Sequence, residues 1–140
     1  MAPRTSLRRE EGHWALGFAT ALSVVLAAGL LVAAVLEEAL LSRAAAEWAL
    51  MRALQSATRA LDPSNWPGGP LPGVATTTFR TAVLGSGFTP SSFATYSSGQ
   101  VDGTTGFTFP AAGVGGCLTY SVWLLGPQRL CADEVTYPAP

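Results

Sequence analysis

The sequence has few of the residues that enzymes most often use in catalysis. Its 140 residues include no lysine, one histidine (His13) and two cysteines, Cys117 and Cys131. Because the C-terminal part has neither histidine nor lysine, no Ser-His-Asp triad, Ser-Lys pair or Schiff base can form there within one chain. The two cysteines lack the spacing of a zinc site. We therefore expect a structural or interaction protein, not an enzyme, with no cofactor, catalytic residue or metal site.

Charged residues are also scarce in the C-terminal part. Its only basic residues beyond position 73 are Arg80 and Arg129, too few for strong binding to phosphates, so we expect no nucleic-acid partner. A pair of its carboxylates could bind calcium weakly, but solvated surface charge is the favoured interpretation. These carboxylates are Asp102, Asp133 and Glu134.

No charged residue occurs between Glu11 and Glu37. The apolar stretch from Trp14 to Leu36 meets the length of about 20 residues that a membrane-spanning helix needs. A cleaved secretory signal is the alternative, but its apolar region usually covers only about 7–15 residues. The helical pattern also continues past Leu36 without a cleavage site. We therefore predict a single membrane span over 14–36.

Arginines precede this span, at positions 4, 8 and 9, and glutamates follow it. By the positive-inside rule the N-terminus is cytoplasmic and the C-terminal part is exported. Disulfides persist in exported proteins, and a head of this size gains from one. A disulfide between Cys117 and Cys131 is therefore favoured over two free buried thiols.

The apolar stretch is predicted to be the first half of one long helix, from His13 to Leu61. No glycine or proline occurs between Leu30 and Asp62, and the residues after the span are strong helix formers. An apolar stripe follows the spacing of a helix and includes Leu50, Leu54, Ala57 and Leu61. Residues 1–12 form a basic leader without periodicity, which we expect to be disordered or removed.

The remainder reads as a connector and a small β-rich head. Residues 62–73 are rich in proline and glycine and are predicted to be an irregular connector, with Trp66 as an anchor. Residues 74–140 form the head. Its predicted strands are 74–84, 93–96, 106–111, 117–125 and 129–137. The fold class is thus α+β, with a long N-terminal membrane-spanning helix followed by a β-rich extracytoplasmic head.

One conflict arises between the last two strands. Gly126 and Pro127 signal a turn, and a tight hairpin about Gly126–Gln128 would place Cys131 opposite Trp123. Cys117 would then lie roughly 20 Å from Cys131, whereas a disulfide needs Cα atoms within about 7 Å. We keep the disulfide and expect a wide loop or an intervening strand.

The N-terminal part resembles the type IV filament superfamily of pilins and pseudopilins. A short basic leader ending in glycine, RREEG, precedes an unbroken apolar helix, and a connector, a small head and a late cysteine pair follow. The resemblance implies that a leader peptidase cuts between Gly12 and His13, or alternatively between Gly17 and Phe18, and that the new N-terminus is methylated. It also implies that the helix packs into a filament core with copies of itself.

Major pilins typically carry a glutamate at the fifth mature position, where this chain has Gly17 or Leu22. The resemblance therefore implies a minor or atypical pilin-like subunit of a cell-surface filament. The sequence still carries its leader, as expected of a precursor or of a chain that is not cleaved.

Two other functions fit the same residues. The chain could be a single-pass accessory subunit of a large membrane complex, or a membrane-tethered binding domain with a Ser/Thr-rich loop at 86–98. Small residues in the span allow helices to approach closely, so its partners would be the membrane and other pilin-like subunits or complex helices. These residues are Ala27, Ala28, Gly29, Ala33 and Ala34. N-terminal sequencing of the native protein would distinguish the pilin-like subunit from the accessory subunit.

Overall fold

The structure is a computed structural model that describes residues 4–61 and 72–136, with side chains from Gly12 onward. The described elements are α1 (Arg4–Leu61), α2 (Pro72–Gly85), β1 (Thr89–Tyr96), β2 (Gly113–Val122) and β3 (Gly126–Val135). The strands form one antiparallel sheet in the order β1-β2-β3. The α+β class is confirmed. The chain divides into two units, Met1–Glu38 and Ala39–Pro140, and α1 contributes to both.

The first unit contains the apolar part of α1. Nearly every side chain from Gly12 to Glu38 is exposed, and this helix is long and apolar enough to cross a membrane. Its two hydroxyl residues each donate a hydrogen bond to a carbonyl one turn earlier, Thr20 to Leu16 and Ser23 to Ala19, both at 2.8 Å. Because these hydroxyls are satisfied within the helix, they remove little of its apolar character.

The helix begins earlier than predicted. It starts at Arg4 and not at His13, so residues 4–12 are helical and not disordered, whereas their removal stays a prediction. Most of these residues are arginine, glutamate and leucine, which are good helix formers. Adding them to an existing helix avoids the cost of nucleation.

In the second unit, α1 buries one face in the core. The predicted stripe is buried there: Leu50 is 1% exposed, Leu54 and Ala57 are 0% exposed, and Leu61 is 8% exposed. Small residues on the same face let α2 and the sheet approach the helix; these are Ala46, Ala49 and Ala53. Residues of α2 and β2 complete this core, among them Phe79 and Leu118.

The segment predicted as the first strand of the head, 74–84, is a helix. Its buried residues are Ala75, Phe79 and Val83, which recur every four residues and so form one helical face. The threonines between them suggested a strand, but Thr76, Thr77 and Thr78 each bond to the carbonyl four residues earlier. Burial of the 75–79–83 face against α1 and the sheet therefore outweighs the β propensity of threonine.

The C-terminus of α2 is closed by a glycine cap. The N–H of Phe88 donates to the carbonyl of Val83, and the N–H of Gly87 donates to the carbonyl of Leu84. This is the Schellman arrangement, which requires a left-handed residue at the position of Gly87. Gly87 has a φ of 85°, and glycine adopts that conformation without steric cost.

We expect Gly87→Ala to lower the free energy of unfolding by about 1 kcal/mol, because an L-residue is strained at this φ. The added Cβ meets no atom within 4 Å, so no clash contributes. Gly85→Ala is the control: its Cβ also meets open space, but the residue is helical and alanine should be neutral or stabilising. Denaturant titration of the full chain in detergent, followed by near-UV circular dichroism, measures both. Equal effects of the two variants would contradict the cap.

The last two strands form a tight hairpin, and the predicted wide loop is wrong. Val122 pairs with Gly126, and Cys117 pairs directly with Cys131. The predicted disulfide is present, with Cα atoms 4.1 Å apart. The turn consists of residues 123–125, three positions before the predicted one, so a tight hairpin and the disulfide coexist.

The other predicted strands are partly correct. The weak strand at 93–96 is the end of β1, which begins at Thr89. β2 extends four residues before its predicted start at Cys117. The predicted edge strand at 106–111 is wrong, because only an isolated bridge between Val101 and Thr108 occurs there. Residues 62–71 of the predicted connector, with Trp66, and the predicted strand end at Tyr137 lie outside the described residues.

Candidate functional site

The candidate assembly surface is the exposed part of α1 in the first unit. The five small residues predicted for helix packing are all exposed; these are Ala27, Ala28, Gly29, Ala33 and Ala34. Gly29 and Ala33 are one turn apart and therefore share a face. A Cβ added to Gly29 would meet no atom within 4 Å. This face has the small-xxx-small spacing that lets two helix backbones come close in a membrane.

The two candidate cleavage sites lie in the same helix. Gly12, His13, Gly17 and Phe18 are all helical and exposed. Cleavage at either bond stays a prediction.

In the second unit, α1 has a second apolar surface on the side opposite its buried stripe. Trp48 is 76% exposed and Leu41 is 65% exposed, and their spacing of seven residues puts them on one face. The predicted ion pair in this part of α1 is confirmed: Arg43 Nε donates to Glu47 Oε1 at 3.0 Å. Both charges are exposed, so the pair adds only a few tenths of a kcal/mol.

The turn between β2 and β3 also exposes apolar side chains. Trp123, Leu124 and Leu125 are 55%, 66% and 57% exposed. Leu124 has a φ of 68°, a left-handed conformation that costs an L-residue roughly 1–2 kcal/mol. The predicted strand 117–125 includes all three residues, so the sequence did not predict an exposed apolar turn.

The face of the sheet away from α1 is covered by loop 97–112. Phe109 of this loop is fully buried and stacks on Tyr96 with ring centroids 4.6 Å apart. It also lies directly over Gly113, where an added Cβ would be 2.7 Å from the ring. Backbone hydrogen bonds hold the loop together, including Phe109 to Gln100 and Asp102 to Phe107.

Two carboxyl groups meet beneath this loop. Asp102 is 5% exposed and comes from the loop, whereas Asp133 comes from β3 opposite Gly115. A Cβ added to Gly115 would be 2.5 Å from Asp133 Oδ1 and 2.6 Å from Asp102 Oδ2. Only a glycine at this position lets both oxygens occupy the same small space.

The two carboxyls have different partners. Asp102 Oδ1 accepts a hydrogen bond from the Thr104 N–H at 2.7 Å, and Asp133 accepts one from the Thr105 hydroxyl. The second oxygen of Asp133, Oδ1, is buried and has no donor. A buried oxygen without a hydrogen-bond donor lowers the stability of the folded state, and a second carboxylate beside it would lower that stability further.

Burial and the neighbouring carboxyl separate the pKa values of the pair. Burial, together with the adjacent Asp102, raises the pKa of Asp133 to about 6, although the hydrogen bond from Thr105 acts to lower it. Burial also works against ionisation of Asp102, but hydrogen bonds, beginning with that from Thr104, hold the pKa of Asp102 below its ordinary value. Burial and the nearby Asp102 charge raise the pKa of Tyr96.

The prediction that these carboxylates are solvated surface charge is wrong for Asp102, which is buried. Glycines at 113, 115 and 116 within a strand were the available signal, because glycine in a strand often marks a close approach. Among the described residues, no group of three or more His, Cys, Asp or Glu side chains could hold a metal ion.

Comparisons with known protein families, with characterised proteins and with solved structures find no match to this chain. Its function therefore has to be inferred from its own residues and their arrangement.

Proposed function

We propose that this chain is a membrane-anchored structural subunit of a type IV pilus-like or pseudopilus filament, in the role of a minor pilin. The observation that carries the proposal is that the two parts of α1 differ in what they contact. One continuous helix has an apolar first part that is almost entirely exposed and a second part that contributes one face to the core of a disulfide-bonded head. A helix built in this way can leave the bilayer and bury its apolar surface against other copies without refolding the head.

The composition of the exposed part supports assembly over simple anchoring. An anchor needs only bulk apolar character, and leucine throughout would satisfy it. This span instead places Gly29 and Ala33 on one face, where close packing between helices depends on small side chains. Trp48 and Leu41 add exposed apolar surface in the second unit, and packing against another copy would bury it.

Assembly is tested by Gly29→Leu, which fills the small-residue face without adding polarity. We expect the variant to insert into membranes normally but to enter filaments at a level reduced about tenfold, equivalent to roughly 1.4 kcal/mol of lost packing. The measurements are carbonate extraction for insertion and the amount of subunit in sheared surface filaments. Val24→Leu is the control, because Val24 is already bulky and lies on a different side of α1.

Normal filament entry of Gly29→Leu would contradict the assembly face. A second measurement concerns the leader: intact mass of the native protein should give an N-terminus at His13 or Phe18. A retained leader, together with co-purification of the chain in a stable membrane complex, would favour the accessory-subunit function instead.

A further inference from the structure

Asp102 and Asp133 lie in the head and not on α1, so the filament proposal gives them no role. Asp133 Oδ1 is buried without a donor and faces Asp102 Oδ2 across Gly115. Both oxygens lie within 2.6 Å of the point that a Cβ on Gly115 would occupy, and two ionised carboxylates that share one buried site repel each other strongly. One proton between the two oxygens would remove the repulsion and provide the missing hydrogen bond.

We propose that Asp102 and Asp133 share one proton and thereby hold loop 97–112 on the sheet in a pH-dependent way. We call these two carboxyl groups over Gly115 the acid clasp. Asp133 carries the proton on Oδ1 and donates a hydrogen bond to Oδ2 of the ionised Asp102. Asp102 is the acceptor because the Thr104 N–H already stabilises its negative charge. Loop 97–112 is attached to β3 at this point by the clasp and by the Thr105 hydroxyl bond to Asp133.

The charged and titratable groups around the clasp are few. Tyr96 faces it from β1, and its hydroxyl interacts with Asp102. Near the clasp, β2 contributes Gly113, Gly115 and the disulfide-bonded Cys117 to this face, and none of them is charged. Arg129 shares the face of β3 with Asp133, but its guanidinium donates to Ser92 on β1. No basic group among the described residues therefore takes the place of the proton.

The direction of the pH effect follows from the two pKa shifts. The folded-state pKa of Asp133 is about 6, above the value of about 3.9 for an unfolded aspartate. The stability from its proton is therefore complete below about pH 4 and is lost as the pH rises through 6. The pKa of Asp102 is lowered, so its contribution is present above about pH 4 and is lost as the pH falls.

The test uses carboxyl NMR of the full chain in detergent. The chain contains three aspartates, Asp62, Asp102 and Asp133, so selective labelling of the aspartate side-chain carbon gives three resolvable signals. We expect one signal, absent in Asp133→Asn, to titrate with a midpoint near 6. In Asp102→Asn the midpoint of Asp133 should move towards its ordinary value, because the acceptor charge is gone.

Stability and loop exchange provide the second readout. Between pH 5 and pH 7.5 we expect the melting temperature of the head to fall by about 5–10 °C, with faster amide exchange at Asp102 and Gly106. Asp133→Asn keeps a donor beside Asp102 and should remove both changes. Glu134→Gln is the control, since it alters the neighbouring residue of β3 on the opposite face and should retain them.

Three results would overturn the clasp. The first is an Asp133 midpoint near 4, and the second is a pH-dependent loss of stability that persists in Asp133→Asn. The third is a rise in melting temperature and a shift of both carboxyl signals on adding millimolar calcium at pH 7.5, which would make the pair a cation site.

Discussion

Leu54→Ala should lower the free energy of unfolding of the head by about 2–5 kcal/mol. Leu54 is 0% exposed and lies where α1, α2 and the sheet meet. Its methyl group would be 3.2 Å from a Cβ added to Gly116, and the ring of Phe79 would be 2.7 Å from the same point. The leucine therefore fills a space that the neighbouring backbone cannot collapse into, so truncation leaves a cavity.

Leu84→Ala is the matched control for this variant. Leu84 lies in α2 but is 61% exposed, so the same deletion should change the unfolding free energy by less than about 0.5 kcal/mol. Denaturant titration of the full chain in detergent, followed by near-UV circular dichroism, compares the two. Similar losses for Leu54→Ala and Leu84→Ala would show that α1 does not form the core of the head.

Removing the disulfide should have an effect of similar size. The chain-entropy model gives roughly 3 kcal/mol for a closed loop of about 15 residues, and the two cysteines are 14 positions apart. The bond ties β2 to β3, and Cys117 is only 3% exposed. We therefore expect the variant with both Cys117→Ala and Cys131→Ala to lose about 2–4 kcal/mol of unfolding free energy.

Reduction separates the covalent link from side-chain packing. Dithiothreitol should destabilise the wild-type chain by a comparable amount and leave the double-alanine variant unchanged. Mass spectrometry of the native protein after alkylation should show no modified cysteine. Two alkylated thiols would disprove the bond in the native protein.

The disulfide illustrates how a correct pairing can accompany a wrong turn. Compartment and head size predicted the bond between Cys117 and Cys131, and the structure contains it. Gly126 and Pro127 were interpreted as the turn because those residue types favour turns. The structure instead places the turn at residues 123–125, with Leu124 in a left-handed conformation. The pairing of β2 with β3, including the opposed cysteines, outweighs the strain at this one residue.

In α2, the predicted type of secondary structure was wrong, because a helix occupies the segment predicted as a strand. Val74 and the threonines at 76–78 have high β propensity, which predicted a strand. The spacing of Ala75, Phe79 and Val83 is helical, but three residues in a short segment are a weak periodic signal. Contact of these residues with the apolar stripe of α1 decided between the two. Propensity is a difference of a few tenths of a kcal/mol per residue, whereas burial of one phenylalanine contributes about 1.5–3 kcal/mol.

The sequence by itself determined the long helix, its apolar first part and the stripe of α1 that the head buries. These features depend on composition and spacing within one continuous segment, where each residue's neighbours are known from its position. The carboxyl pair, the glycines that make room for it and the exposed Trp123 turn depended on the tertiary structure. Asp102 and Asp133 are 31 positions apart, and only the register of β3 against Gly115 and the path of loop 97–112 bring their oxygens together.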